Sequence, residues 1–369
     1  MNTRTIFLHV GMQKTASSSI QQTLHNNKNI LCKNSYLYPS SWSAWHVKEF
    51  GDMFPDETEE SRRNIFHNRN KLTTFEKKNL QNHTIEKLYQ EVIDKKLDNL
   101  ILSAESLVLF SHKTIFKLNQ LLSKKFNTTN IRIILYVKEK NQFMNSIVQQ
   151  YIKSAIDFNI EDVIAKYNSC YYDSIYKFYK VFGKKNVTVL KFEETCQDDF
   201  GPVGFFLKTI GLDTNSISSI DYKRTNASIS INAADLIYFI NRQSPLIVDN
   251  EISKYRKRDD MNIFFDIPGP KYSLKENMQL KILKESKKDI EWLEKTVGIK
   301  YENTLLNRED IDFDNKFCIY IQKVFFSLTK HIQNIVQYYV EKNITNECMK
   351  NLLKWIKMNK IRDKKYEAI

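Results

Sequence analysis

In the N-terminal half of the chain, apolar residues gather in short β-rich runs, each followed by a stretch with helical spacing. Ile6–Val10 is the first run, Leu100–Ser103 (LILS) the second, Ile131–Val137 (IRIILYV) the third and Val187–Phe192 (VTVLKF) the fourth. Runs this short and this apolar predict buried strands. The intervening segments carry helix signals. Ser17–His25 opens on hydroxyl residues, and GPVGFFLKTIG ends on a glycine stop at Gly211. Strands alternating with helices predict an α/β fold, a three-layer arrangement around a central parallel sheet with right-handed crossovers. Ligands of such sheets bind beyond the carboxyl ends of the strands.

Two regions break this rhythm. Residues 33–98 are polar and aromatic, carry YLYPSSWSAWH, and are too long for a simple connection. An insertion that covers the ligand site is expected there. After about residue 230 the spacing is helical throughout. SLKENMQLKILKESKKDIEWLEKTVG predicts a helix opened by a capping box of Ser273 and Glu276 and closed at Gly298. The expected division is an α/β core over 1–230, with the 33–98 insertion, and a helical accessory region over 231–369, packed on or beside it.

Composition narrows the class. The 369 residues are 42% hydrophobic, ample for a core and unlike a disordered chain. With 56 Lys and Arg against 43 Asp and Glu, the net charge of +13 favours anionic partners such as nucleotide phosphates, an acidic glycan or a membrane surface. A generally Lys-rich surface gives the same figure, so charge alone decides nothing. The basic residues are scattered without a recognition motif, so nucleic acid is not an expected partner. KYRKR (Lys254–Arg258) reads first as a solvated face, with a contact for an acidic glycan as the alternative. The five cysteines are spread out with no C-x-x-C pair, which argues against a disulfide framework and a zinc site. No window approaches ~20 apolar residues. The expectation is a cytoplasmic protein without a transmembrane segment, with contact at the inner membrane surface left open.

Candidate chemistry concentrates at HVGMQKTASSS, directly after the first strand. Backbone N–H groups and hydroxyls at a helix N-terminus attract an anion, and Lys14 adds a mobile positive charge. Gly11 permits a sharp exit from the strand. A Walker phosphate loop has a second glycine directly before its lysine, where this chain has Gln13. The plain alternative is a serine-rich helix cap beside one exposed lysine.

HVGMQKTASSSIQQTL resembles the HxGxxKTGTTSLQ signature of the PAPS-dependent sulfotransferase family, in its bacterial, carbohydrate-type members with a P-loop-like fold. In that family the loop grips the 5′-phosphosulfate of PAPS (3′-phosphoadenosine 5′-phosphosulfate). The resemblance implies that Gly11, Gln13, Lys14, Thr15, Ala16, Ser17 and Ser18 hold the cofactor. Ala16 replaces the usual glycine, which is expected to tighten the loop, and Ser17 and Ser18 replace a threonine pair. YVKEKNQFMNSIVQQYIKS is similar to the family's 3′-phosphate site, an arginine at a strand end and a serine on the next helix. That implies Lys138 and Ser146, with lysine giving up bidentate geometry but keeping the charge. SYLYPSS and VLKFEET resemble further segments of bacterial members. RTNASIS resembles their N-x-S-x-S loop, which implies Asn226 and Ser228 near the nucleotide.

The implied activity moves a sulfuryl group from PAPS to a carbohydrate or glycolipid hydroxyl or amine, releasing 3′,5′-ADP without a metal. Lys14 is the expected cation beside the leaving oxygen. Glu105, in LILSAESL, resembles the base of several glycan sulfotransferases, and otherwise reads as an acid at a helix start. His46, beside Trp42 and Trp45, is the rival base, and otherwise reads as packing or part of a sugar platform. Two alternatives stay open: a P-loop kinase-like phosphotransferase using ATP, and a non-catalytic protein that keeps the PAPS fold.

Overall fold

The computed structural model describes residues 4–55, 72–223, 228–249 and 251–366. The chain divides into two compact units. Met1–Glu139, Ser169–Thr225 and Lys287–Glu302 make the first, and Lys140–Asn168, Asn226–Ser286 and Asn303–Ile369 the second. This division departs from a single boundary near 230: residues 140–168 belong to the second unit and residues 287–302 to the first.

The first unit is built on a five-stranded parallel sheet of β1 (Thr5–His9), β2 (Tyr36–Leu37), β3 (Asn99–Ser103), β4 (Ile131–Val137) and β5 (Val187–Lys191), in the order β2-β3-β1-β4-β5. β1 lies between its partners in a register that sets His9 opposite Ser103 on one side and Ile134 on the other. Ile6, Leu8, Ile101, Leu102, Ile133 and Leu135 are buried because both faces of the sheet are covered. On one face pack α1 (Ser17–Asn26) and the helix Gly201–Thr209, through Ile20, Leu24, Phe206 and Leu207 against Ile101, Ile134 and Tyr136. The helices His112–Phe126 and Cys170–Phe182 bury Ile115, Leu118, Ile175 and Phe178, and the second of them packs on β4. The three-layer α/β arrangement is thus present, with four strands where the apolar runs lie. β2 adds the edge strand from within the expected insertion.

The second unit is helical. Ile231–Gln243 packs on Lys330–Lys342 and on Lys140–Lys153, and Glu276–Glu285 packs on Lys140–Lys153. Ser230 caps Ile231–Gln243 by accepting from the Ala233 N–H at 3.0 Å. The expected capping box at Ser273 and Glu276 does not form. Lys275 is the N-cap, without a side-chain bond, because Arg308 takes the Ser273 carbonyl and Gln279 the Leu274 carbonyl, holding 273–274 outside the helix. In the first unit, Gly298 ends the turn Leu293–Val297 at φ 88°, as the sequence predicts. Among the described residues no helix is long and apolar enough to cross a membrane. KYRKR is no basic stripe throughout: Arg256 is buried and paired with Asp260 at 2.7 Å.

Candidate active site

In this strand order the chain leaves β1 toward one edge of the sheet and β4 toward the other. The carboxyl ends of β1 and β4 therefore flank the topological switch point, where open α/β sheets bind ligands. Three segments meet at that edge: the loop Val10–Ala16, the turn Glu105–Leu109 after β3, and Lys138 after β4.

The loop is held tightly. Val10 donates its N–H to Ile134 O at 3.0 Å, and the buried Thr15 hydroxyl donates to Met12 O at 2.5 Å. Thr15 therefore closes the turn, its proton already committed. Gly11 is required for space: a Cβ there would lie 2.6 Å from Ser17 Oγ and 2.9 Å from His9 Nε2. Lys14 and Ala16 sit at φ 65° and 62°, left-handed conformations that cost a non-glycine residue roughly 1 kcal/mol or more. Ala16 stands where the resembling signature has glycine, so its cost appears as backbone strain. It is also the N-cap of α1 and provides no side-chain cap, which leaves the helix N-terminus open to an anion. Gln13, Lys14 and Ser18 are partly exposed on this loop, and Ser17 is buried.

Electrostatics tie the three segments together. Burial pushes the Lys14 ammonium below its usual pKa, and the Glu105 carboxylate opposes that shift. Burial likewise lowers Lys138; Glu193 is the largest opposing influence, while Lys14 pushes it down further. Two lysines close enough to repel, with a carboxylate beside one of them, make a site matched to a bound anion. Lys138 also lies over the Phe192 ring, 5.4 Å from its centre. Its backbone is fixed: Tyr301 donates to Val137 O at 3.0 Å, Tyr171 donates to Lys138 O at 2.6 Å, and the Glu139 N–H donates to Glu193 Oε1 at 2.9 Å.

His46 belongs to a different arrangement. It is fully buried, stacked on Tyr38 with ring centres 4.4 Å apart, and edge-on to Trp42 at 5.2 Å. Its Nδ1 accepts the Ser103 N–H at 3.1 Å, so its one basic nitrogen is occupied, and burial pulls its pKa down to about 3. A general base needs a free lone pair and a pKa near the working pH. This geometry gives His46 a structural role and leaves Glu105 as the base candidate. Tyr36, Tyr38 and Trp42 are core residues, and Trp45, at 50% exposure, is the aromatic side chain of this segment most open to solvent.

The remaining residues named from sequence are on segments of the second unit. Ser146 is on the helix Lys140–Lys153 of the second unit, its hydroxyl donating to Gln142 O at 2.8 Å. Ser228 is exposed before Ser230, and Asn226 lies outside the described residues. Sequence reasoning missed the support beneath the loop. Ser103 Oγ pairs with His9 Nδ1 at 2.7 Å, and Gln21 donates to Ser103 O at 3.2 Å. His9 is buried and held neutral, its pKa lowered to about 3 by burial. The register of β1 on β3 creates that pair, and no local motif announces it. Glu193, the main electrostatic partner of Lys138, was visible only as the acid trailing VLKFEET.

No family model and no curated protein matches the chain. Solved structures that resemble it include the following two. A sulfotransferase from Alicyclobacillus acidocaldarius gives a TM-score of 0.41 at 13% identity, covering 81% of this chain and 97% of its own. A retinol dehydratase in complex with androsterone and inactive cofactor PAP gives 0.35 at 12% identity, covering 81% and 83%. The roles assigned to residues here stand on the geometry of this chain.

Proposed function

We propose that the first unit is a PAPS-dependent sulfotransferase that moves a sulfuryl group to a hydroxyl or amine of a carbohydrate or glycoconjugate. One observation carries the reading: Lys14, Glu105 and Lys138, from three strand ends, interact electrostatically at one edge of the sheet. The residues fit the cofactor on chemical grounds. Two lysines destabilised by burial and mutual repulsion regain stability beside a polyanion, and the uncapped start of α1 supplies further donors. PAPS, when bound, supplies the activated sulfuryl group and leaves as 3′,5′-ADP.

Within this reading the loop Gly11–Ser18 holds the 5′ side of the cofactor. Lys14 neutralises negative charge growing on the leaving oxygen. Glu105 takes the proton of the acceptor, and Lys138 adds the charge for a further phosphate. Trp45 is the exposed aromatic surface suited to a sugar ring.

The test is binding of 3′,5′-ADP against ATP with magnesium, followed by transfer from labelled PAPS across surface glycans and lipid-linked sugars. Lys14→Ala is expected to abolish transfer. Binding of ATP alone would replace this reading with a phosphotransferase. Tight 3′,5′-ADP binding without transfer to any acceptor would leave a binding protein.

A further inference from the structure

The second unit contains a cavity of about 250 Å³ that the sulfuryl-transfer reading does not use. It is enclosed on its apolar side by Ile152, Ile231 and Ala234 from two packed helices. At its other side stand Tyr272, Lys275 and Arg308, with Asp235 nearby. By volume it holds on the order of eight waters, so its natural occupant is small.

The polar side is built and held in place. Asn145 clamps the Tyr272–Leu274 segment in both directions, donating to Tyr272 O at 3.0 Å and accepting from the Leu274 N–H at 3.0 Å. The fully buried Gln279 ties this segment to the next, donating to Leu274 O at 2.8 Å and to Leu306 O at 2.9 Å. Arg308 reaches across to Ser273 O with one nitrogen and keeps its other donors. Tyr272 is only 9% exposed and lines the cavity together with Arg308. Its phenol O–H is a donor that an oxyanion in the cavity can take. Arg308 lies close enough to act on its charge.

Charge indicates what the acceptor is. Neither Arg308 nor Lys275 forms an ion pair among the described residues. The carboxylate present, Asp235, accepts the Tyr339 hydroxyl at 2.7 Å. Two cations against one engaged carboxylate leave a surplus suited to a single negative charge. We infer that this cavity is a binding site for a small organic monoanion, its apolar body against Ile152, Ile231 and Ala234 and its oxyanion received by Arg308 and the Tyr272 hydroxyl. The inference is independent of what the first unit does.

Benzoate and its isosteres test it on the full chain by calorimetric titration. Saturable binding of benzoate is expected, with benzamide at least tenfold weaker and benzylamine not bound. Arg308→Gln should weaken benzoate at least tenfold and Tyr272→Phe about threefold, while Ala234→Leu, which fills the apolar side, should abolish it. Any affinity for 3′,5′-ADP should be the same in all three variants. Absence of benzoate binding to the wild-type protein, equal affinity for benzamide, or an unchanged affinity in Arg308→Gln would each overturn the assignment. Arg308 is partly exposed, so that arm stands if Ala234→Leu fails to fold.

Discussion

The two buried histidines of the first unit predict how the protein responds to acid. His9 and His46 are both fully buried, and burial lowers each from the usual 6.5 to about 3. Between those values the unfolded chain binds a proton that the native protein does not. Stability is therefore complete above the unfolded pKa and drains as pH falls toward the folded one. Taking the protein from about pH 7.5 to about pH 5 costs about 2 kcal/mol per histidine, or about 4 kcal/mol for the pair. A native pKa of 4 instead of 3 leaves that figure almost unchanged, because both lie well below pH 5. The assay is urea unfolding at a series of pH values for the wild type, His9→Asn and His46→Asn. Each substitution lowers stability on its own, so the informative quantity is the slope. Each variant should lose about 1.4 kcal/mol less per pH unit than the wild type in the acid range. In parallel, the imidazole proton resonances of both residues should stay unshifted down to about pH 4.5. Equal slopes in variant and wild type, or a native His46 titrating near 6.5, would refute the argument and return His46 to consideration as a base.

Three further outcomes follow from the site. Glu105→Gln should lower turnover at least a hundredfold while 3′,5′-ADP affinity holds; wild-type turnover would remove Glu105 from the role. Lys138→Ala should weaken 3′,5′-ADP more than 5′-AMP in titrations, and equal losses would sink its assignment to the additional phosphate. Ala16→Gly should raise stability by up to about 1 kcal/mol if relief of the left-handed strain outweighs the added chain entropy, so a clear loss in thermal unfolding would mean that the φ of 62° costs the loop little.

Most of the sheet was legible because its strands are continuous apolar runs: β4 spans Ile131–Val137 as read, β3 and β5 differ from their runs by one residue at one end, and β1 by one residue at each end. The edge strand β2 escaped because two residues, Tyr36 and Leu37, are too few to show any periodicity. The loop and Lys14 could be found from local order along the chain. The capping box at Ser273 and the basic role of His46 could not be judged that way. Arg308 overrides the first and Ser103 the second, and both act from distant parts of the sequence. The unit boundaries were hidden for the same reason, since the chain passes between units several times and composition does not change at those points.

Ser103 illustrates how such a site resists change. Its N–H, hydroxyl and carbonyl each engage a different residue, His46, His9 and Gln21. Two of those three bonds come from the main chain, so any amino acid except proline, which lacks the N–H, would still offer them. The network is thus robust to exchange at its hub and fragile at its periphery. Variation should be tolerated better at Ser103 than at His46 or Gln21, the reverse of what counting bonds per residue would suggest.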